Sequence, residues 1–192
     1  MKEETAKLTD GQIEELVIKS QKGDSDAFSK LYDAFFAPMY RYIFYKVNRS
    51  EADDILEVLF LKAWENIKSY KKRKNVTFKS WLFRIAHNLV VDHYRLSRTH
   101  QELDPRLPDT KRDIDPLDRT ARSLNNETLK AALSKLKKKY RDIIVLKFVN
   151  ELSNDEIGCI LKKSEGSVRI LQFRALRALK DHFEGIGISN FE

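Results

Sequence analysis

The sequence predicts an all-α chain of two small helical domains joined by a flexible linker. Three observations carry that prediction. Apolar residues recur at helical steps of three and four through both halves, and no segment alternates at the period of a strand. The stretch 99–124 holds Pro105, Pro108 and Pro116, and no Phe, Trp or Tyr occurs between Tyr94 and Tyr140. Such a stretch buries too little apolar area to fix its backbone, so it reads as a linker between domains at 10–98 and 125–184. Near the end, two helical patterns are separated by a very short turn, which is the helix-turn-helix plan.

Taken in order, the first helix starts at Asp10 and turns Ile13, Leu16, Val17 and Ser20 to one side. Gly23-Asp24 breaks it, and Asp24 or Ser25 can cap the next helix, which carries Phe28, Leu31, Tyr32 and Phe35. Pro38 suits the first turn of a further helix better than an interior, so Met39–Val47 is expected as a separate element. Asn48-Arg49-Ser50 reads as a turn before the helix 51–67. The stretch Phe78–Arg95 follows. Trp81, Ile85 and Leu89 form its expected buried stripe, while Arg84, Asn88, Val91 and Arg95 share another face. Beyond the linker, helical pattern resumes near Asn126 with Leu129, Ala132, Leu133 and Leu136, then Ile143, Ile144, Leu146 and Phe148. Ser153 and Glu156 form a capping box for a short helix. Ser164 caps the last helix, with Val168, Ala175, Leu179 and Phe183 inward and Gly185 and Gly187 at its end.

The composition suits a soluble helical protein: 42% of the 192 residues are hydrophobic and 34% charged. A net charge of +7 leans towards anionic partners. The single cysteine, Cys159, cannot form an internal disulfide and reads as a small core residue. The start of the chain shows no signal-peptide pattern, and no apolar run is long enough to span a bilayer, so a cytoplasmic protein without membrane insertion is expected.

The basic run Lys71, Lys72, Arg73 and Lys74 feeds the polar face of Phe78–Arg95, a pairing suited to an anionic partner with readable edges. A core helix with a solvated face is the plainer reading of that helix taken alone. The last helix places Glu165, Arg169, Phe173, Arg174 and Arg177 outward, where Arg169 can read guanine edges and Arg174, Arg177 and Lys180 can meet phosphates. Asp53 and Glu57 share a helix face and have oxygens that Mg²⁺ accepts, but no second acidic cluster stands opposite; a solvated or docking face is the plainer reading. His87, His93, His100 and His182 lack ligand spacing, no phosphate-binding or nucleophile motif occurs, and no cofactor, metal or catalytic residue is expected.

Together these residues resemble the sigma factors of bacterial RNA polymerase, of the extracytoplasmic-function (ECF) type. The resemblance rests on Gly23-Asp24 through Tyr42, on Ala52-Asp53-Asp54-Ile55 with Phe60–Trp64, on Phe78–Arg95, and on Leu152–Arg169 with Arg174-Ala175-Leu176. It implies a second-region helical domain followed by a fourth-region helix-turn-helix. The implied function is promoter choice and assistance in promoter opening, with core RNA polymerase and promoter DNA as partners and an anti-sigma protein as a further one. Asp53, Asp54, Glu57, Phe60 and Leu61 would contact the polymerase clamp. Family members usually carry Gln-Glu where this chain has Glu57-Val58. Tyr70 and Asn88 would shape a pocket for a base flipped from the downstream (−10) element, with Lys71, Lys72, Arg73, Lys74, Arg84 and Arg95 along the strand. The loop Lys71–Thr77, longer and more basic than usual, would set which base is accepted. Lys147, Glu165, Arg169, Ile170, Phe173, Arg174 and Arg177 would face the upstream (−35) element. Lys162 stands where the family often has Gly, so a slightly altered turn is expected there. A stand-alone helix-turn-helix regulator would explain the last domain but gives Phe78–Arg95 no role.

Overall fold

The computed structural model describes residues 8–73, 76–103 and 121–185. All regular structure among them is helical apart from an isolated bridge between Arg73 and Val76. The helices are α1 (Asp10–Gln21), α2 (Ser25–Phe44), α3 (Arg49–Asn66), α4 (Phe78–Leu103), α5 (Ala121–Lys135), α6 (Lys138–Ile144), α7 (Asn154–Leu161) and α8 (Glu165–Gly185). A 3₁₀ turn, Ile67–Ser69, follows α3, and a π-helical turn, Val145–Val149, continues α6. Residues 104–120, most of the expected linker, lie outside the described residues. Its flanks do not: α4 extends to Leu103, and α5 begins at Ala121, five residues before the expected Asn126.

Local chemistry sets the helix starts. Thr9 and Gln12 form a reciprocal capping box at α1, and Asp24 accepts the Ala27 N–H at 2.9 Å to cap α2. Asn48 and Glu51 box the start of α3, so the expected turn contributes Arg49 and Ser50 to the helix itself. Pro38 lies inside α2 and starts no new helix. The lost hydrogen bond, worth about 3 kcal/mol in an ordinary interior, is outweighed because Leu31, Phe35, Met39, Tyr42 and Ile43 stay on one continuous buried stripe.

The first half packs around aromatic rings. Phe78 meets Phe35 edge-on with centroids 5.5 Å apart, and Phe83 meets Tyr42 at 5.3 Å. The buried face of α4 is Phe78, Leu82, Phe83, Ala86 and Val90. The expected stripe Trp81, Ile85 and Leu89 is only half-buried. It lies to one side of the core face, because α4 packs on α2 and α3 and leaves its neighbouring flank as a cleft wall.

In the second half, Ser153 and Glu156 box α7 as expected, and Ser164 accepts the Ser167 N–H to cap α8. Val168, Ala175 and Phe183 are buried, with Leu179 half-buried beside them. Cys159 is half-buried, less enclosed than a core position. The turn between α7 and α8 is tight. A Cβ on Gly158 would lie 2.7 Å from the Lys163 carbonyl oxygen, so glycine permits this approach. Lys162 itself adopts the left-handed conformation, with φ 54° and ψ 52°. The turn is therefore not altered; the lysine bears the strain. Lys162→Gly is expected to raise stability by about 1 kcal/mol, read by thermal unfolding, and a lowered melting temperature would count against that strain.

The halves pack against each other. Helix α4 lies on α7, and α2 lies on the π-helical turn. Arg41 donates to the Val149 carbonyl at 3.3 Å, Lys79 to the Asn150 carbonyl at 3.2 Å, and Thr77 to the Glu156 carboxylate at 2.8 Å. Lys46 and Asp142, both buried, form an ion pair across the boundary.

Candidate nucleic-acid interface

An open cleft of about 430 Å³ runs along α4. It is lined by Trp81, Arg84, Ile85, Asn88, Leu89 and Asp92, and opposite them by Lys62, Asn66 and Ser69. Aromatic and aliphatic walls with amide, hydroxyl and cationic groups at the rim suit an unpaired base and its phosphates. Asn88 and Arg84 stand here as expected, both exposed.

Tyr70 does not join them. Its ring is buried against Phe78 and Trp81, and its hydroxyl donates to Glu14 at 2.9 Å. Burial first, and that hydrogen bond second, push its pKa well up. Tyr70 thus supports Trp81, which forms part of the cleft wall. Sequence spacing could not separate these roles, since the ring packs on α4 and its hydroxyl is taken by Glu14 of α1, far away in the chain.

The wall formed by Lys62, Asn66 and Ser69 was missed. Its signal is present in the sequence as steps of four and three, Lys62, Asn66 and Ser69. Asn66 donates to the Lys62 carbonyl at 2.8 Å and Ser69 to the Asn66 carbonyl at 2.7 Å, so this edge is held by local bonds.

Lys71, Lys72 and Arg73 are exposed but do not line the cleft; Lys72 lies 3.7 Å from Glu14. Lys74 lies outside the described residues. Arg95 is exposed beyond the cleft, 3.9 Å from Asp92.

On α3, Asp53, Asp54, Glu57 and Leu61 are exposed. Phe60 is not: it is buried, with its ring 4.4 Å from that of Tyr32 on α2. Phe60 falls on the stripe Ala52, Ile55, Leu56, Leu59 and Ala63 that α3 turns inward, so its side chain is not available as a contact. The apolar groups presented outward are Val58 and Leu61, with Tyr32 and Phe36 also exposed.

On α8, Glu165, Arg169, Ile170, Phe173, Arg174 and Arg177 are all exposed, on the side away from Val168 and Ala175. Phe173 is 70% exposed, unusual for a large ring. Arg169 is paired with Glu165 one turn earlier at 2.6 Å, which pre-orients the guanidinium along the helix. Lys147 differs from expectation: it is half-buried, and its ammonium donates to the Leu152 carbonyl at 3.3 Å. Among the described residues no three His, Cys, Asp or Glu side chains converge as a metal site, and no helix is long and apolar enough to cross a membrane.

A helical body with a polar-rimmed cleft along α4 and a basic, exposed helix-turn-helix suits a DNA-binding protein. Comparison with known proteins narrows that class. The sigma-70 region 2 profile matches residues 31–99, and the sigma-70 region 4 profile matches residues 126–179. The ECF RNA polymerase sigma factor SigW of Bacillus subtilis is 32% identical over 179 residues, covering 88% of this chain and 95% of that protein. BldN of Streptomyces coelicolor, another ECF RNA polymerase sigma factor, is 35% identical over 168 residues, covering 86% of this chain; the chain spans 63% of BldN's length. Among solved structures, CnrH in complex with the cytosolic domain of CnrY superposes with a TM-score of 0.70 at 22% identity, covering 92% of this chain and 99% of CnrH. RpoE of Bartonella quintana, solved with the anti-sigma factor NepR, gives 0.70 at 21% identity, covering 83% and 97%. This chain belongs to the sigma-70 family and is a sigma factor of the ECF type. Sigma factors act in promoter-directed transcription initiation with core RNA polymerase and are not enzymes.

Proposed function

We propose that residues 10–98 dock on core polymerase and hold the opened −10 strand, residues 99–124 tether, and residues 125–184 bind the duplex −35 element. The observation that supports this reading is the cleft along α4, where Trp81, Arg84 and Asn88 face Lys62, Asn66 and Ser69. A duplex-only regulator has no use for a base-sized cleft 77 residues before its recognition helix, counting from Asn88 to Glu165. Asp53, Asp54, Glu57 and Leu61 form the polymerase-docking face, with Val58 in place of Phe60. Flipping a base costs a few kcal/mol, which stacking on Trp81 and an edge hydrogen bond from Asn88 offset. On α8, Arg169 reads a base edge, while Arg174 and Arg177 meet phosphates and Ile170 and Phe173 provide apolar contact. The protein works in the cytoplasm, and an anti-sigma protein is its expected regulatory partner.

The deciding experiment is transcription from a cognate promoter with purified core polymerase. Promoter-dependent transcripts on adding this chain support the reading. Tight binding to a duplex operator alone, with no such transcript, returns the stand-alone regulator. Asn88→Ala is expected to weaken promoter opening about fivefold, near 1 kcal/mol, with little change in polymerase affinity. Permanganate footprinting against a polymerase-binding titration separates the two, and equal losses would remove Asn88 from the base pocket. Arg169→Ala should cost about 1–3 kcal/mol at one upstream base pair. Binding to a panel of single-base variants reads that cost; an equal loss on every sequence would make Arg169 a phosphate contact.

A further inference from the structure

We infer that α1 is a positioning element for the cleft: Glu14 and Gln21 hold residues 67–70 so that Ser69 and Trp81 stand at a set spacing, which selects the size of base admitted. This rests on the proposed reading of the cleft as a base pocket. The lining residues themselves all belong to α3, the 3₁₀ turn and α4. Helix α1 acts on them from behind.

Glu14, Val17 and Gln21 follow one another at helical steps of three and four, so they share one face of α1. Val17 is buried between the other two, which are half-buried. Glu14 accepts the Tyr70 hydroxyl at 2.9 Å and lies 3.7 Å from the Lys72 ammonium. The Gln21 amide nitrogen donates to the Ile67 carbonyl at 3.0 Å and to the Tyr70 carbonyl at 2.9 Å. A carboxamide NH₂ has two hydrogens, and these two bonds use both. The two carbonyls bracket the turn Ile67–Ser69, which the Tyr70 N–H closes on the Ile67 carbonyl at 3.1 Å. One side chain therefore clamps both ends of the turn, 46 and 49 positions away in sequence.

Two routes lead from these bonds to the cleft. The first runs through the backbone. The clamped turn carries Ser69, whose hydroxyl donates to the Asn66 carbonyl, and Asn66 donates in turn to the Lys62 carbonyl. Holding the turn thus holds the wall Lys62, Asn66 and Ser69. The second route runs through rings. The Tyr70 ring lies 5.6 Å from that of Trp81 and 5.5 Å from that of Phe78, and Phe78 lies 5.4 Å from Trp81. With its hydroxyl tied to Glu14, the Tyr70 ring keeps Trp81 in place on the facing wall.

The polar character of these ties is what base selection needs. Apolar packing tolerates small sliding movements, whereas hydrogen bonds weaken steeply with distance and angle. A purine and a pyrimidine differ in width by one ring, and edge hydrogen bonds form only when the facing walls are held in register. Helix α1 is suited to act as a strut, since the reciprocal Thr9–Gln12 box fixes its first turn.

The full chain is to be assayed with purified core polymerase on a cognate promoter carrying each base in turn at each −10 position. The position where Asn88→Ala lowers discrimination most marks the held base. Gln21→Glu keeps the side-chain shape but removes both donated hydrogens, and Glu14→Leu removes the acceptor for Tyr70. Each is expected to lower the transcript ratio between the preferred and the next-best base at that position by about threefold or more, with polymerase affinity unchanged. Glu14→Gln retains an acceptor and should restore the wild-type ratio, although it removes the charge facing Lys72. Lost stability alone would lower transcripts from all promoter versions alike and leave the ratio intact. An unchanged ratio in either folded variant overturns the inference. So does a Glu14→Gln ratio as low as that of Glu14→Leu, which would assign the effect to charge near Lys72.

If Gln21→Glu loses helix signal, the Glu14 pair decides, together with fluorescence. In a Trp64→Phe background, emission reports Trp81 alone. Acrylamide quenching of Trp81 should rise in Glu14→Leu and stay at the background level in Glu14→Gln; equal quenching in all three proteins overturns the inference. If Asn88→Ala itself changes no ratio, the base-pocket reading fails and this inference falls with it. If Asn88→Ala acts while Glu14→Leu and Gln21→Glu do not, only the role of α1 is lost.

Discussion

Phe83→Ala is expected to lower the free energy of unfolding by about 3–5 kcal/mol. Phe83 is fully buried on α4, and its ring stands at 87° to that of Tyr42 on α2. Truncation removes the ring's transfer free energy, leaves a cavity, and deletes an edge-to-face pair. The cavity cannot close easily, because Leu82 and Ala86 on the same face are already fully packed. Since α4 carries Trp81, Arg84 and Asn88, the same change should loosen the cleft and reduce promoter opening. Urea unfolding gives the stability, and Phe83→Leu should cost much less. A Phe83→Ala loss below about 1 kcal/mol would mean that the ring is not enclosed as described.

The second large effect is a loss of stability on mild acidification, carried by His87. Its Nδ1 lies 3.1 Å from the Tyr42 hydroxyl. Burial above all, then the charge of Lys46 and more weakly that of Lys138, hold the imidazole pKa down at about 4, with Asp142 opposing. The unfolded chain takes up this proton near pH 6.5, and the folded chain does so only near pH 4. Between those values the unfolded state binds more protons, so stability falls as pH falls. The loss is up to about 3 kcal/mol by pH 4 and is absent above pH 6.5. Unfolding measured at intervals across this range for wild type and His87→Gln isolates the contribution. Parallel curves would show that His87 is solvated in the folded protein. Lys46 and Asp142 meet where the two halves pack, so this burial depends on that packing.

Much of the fold was legible because helix signals are local. Capping boxes at Ser153 and the cap at Asp24 need only a few adjacent residues, and the inward stripe of α8 needs only the helical period. Pro38 misled because its local preference for a helix start is smaller than the tertiary gain of keeping Phe35, Met39 and Tyr42 on one stripe. Trp81, Ile85 and Leu89 misled for a related reason. Their spacing is helical, but spacing does not say which of two adjacent flanks meets the core.

The site shows the same division. The residue types of the two readers, and the exposed face Glu165–Arg177, follow from periodicity and charge along single helices. Where a side chain spends its polar group depends on partners far away in sequence. Tyr70 gives its hydroxyl to Glu14 and Phe60 turns its ring to Tyr32, while Lys147 gives its ammonium to the Leu152 carbonyl just across the turn that follows its own helix. None of those choices is written in spacing.

By itself, then, the sequence determined an all-helical chain, its two halves and the order of its readers, because helix periodicity, caps and turns are short-range properties. Tertiary structure alone decided which groups line the cleft, which are withdrawn from it, and that Lys46 meets Asp142 across 96 positions of chain. Long-range packing selects among faces that local propensity leaves equivalent, and only the assembled core has the burial that makes such a choice matter.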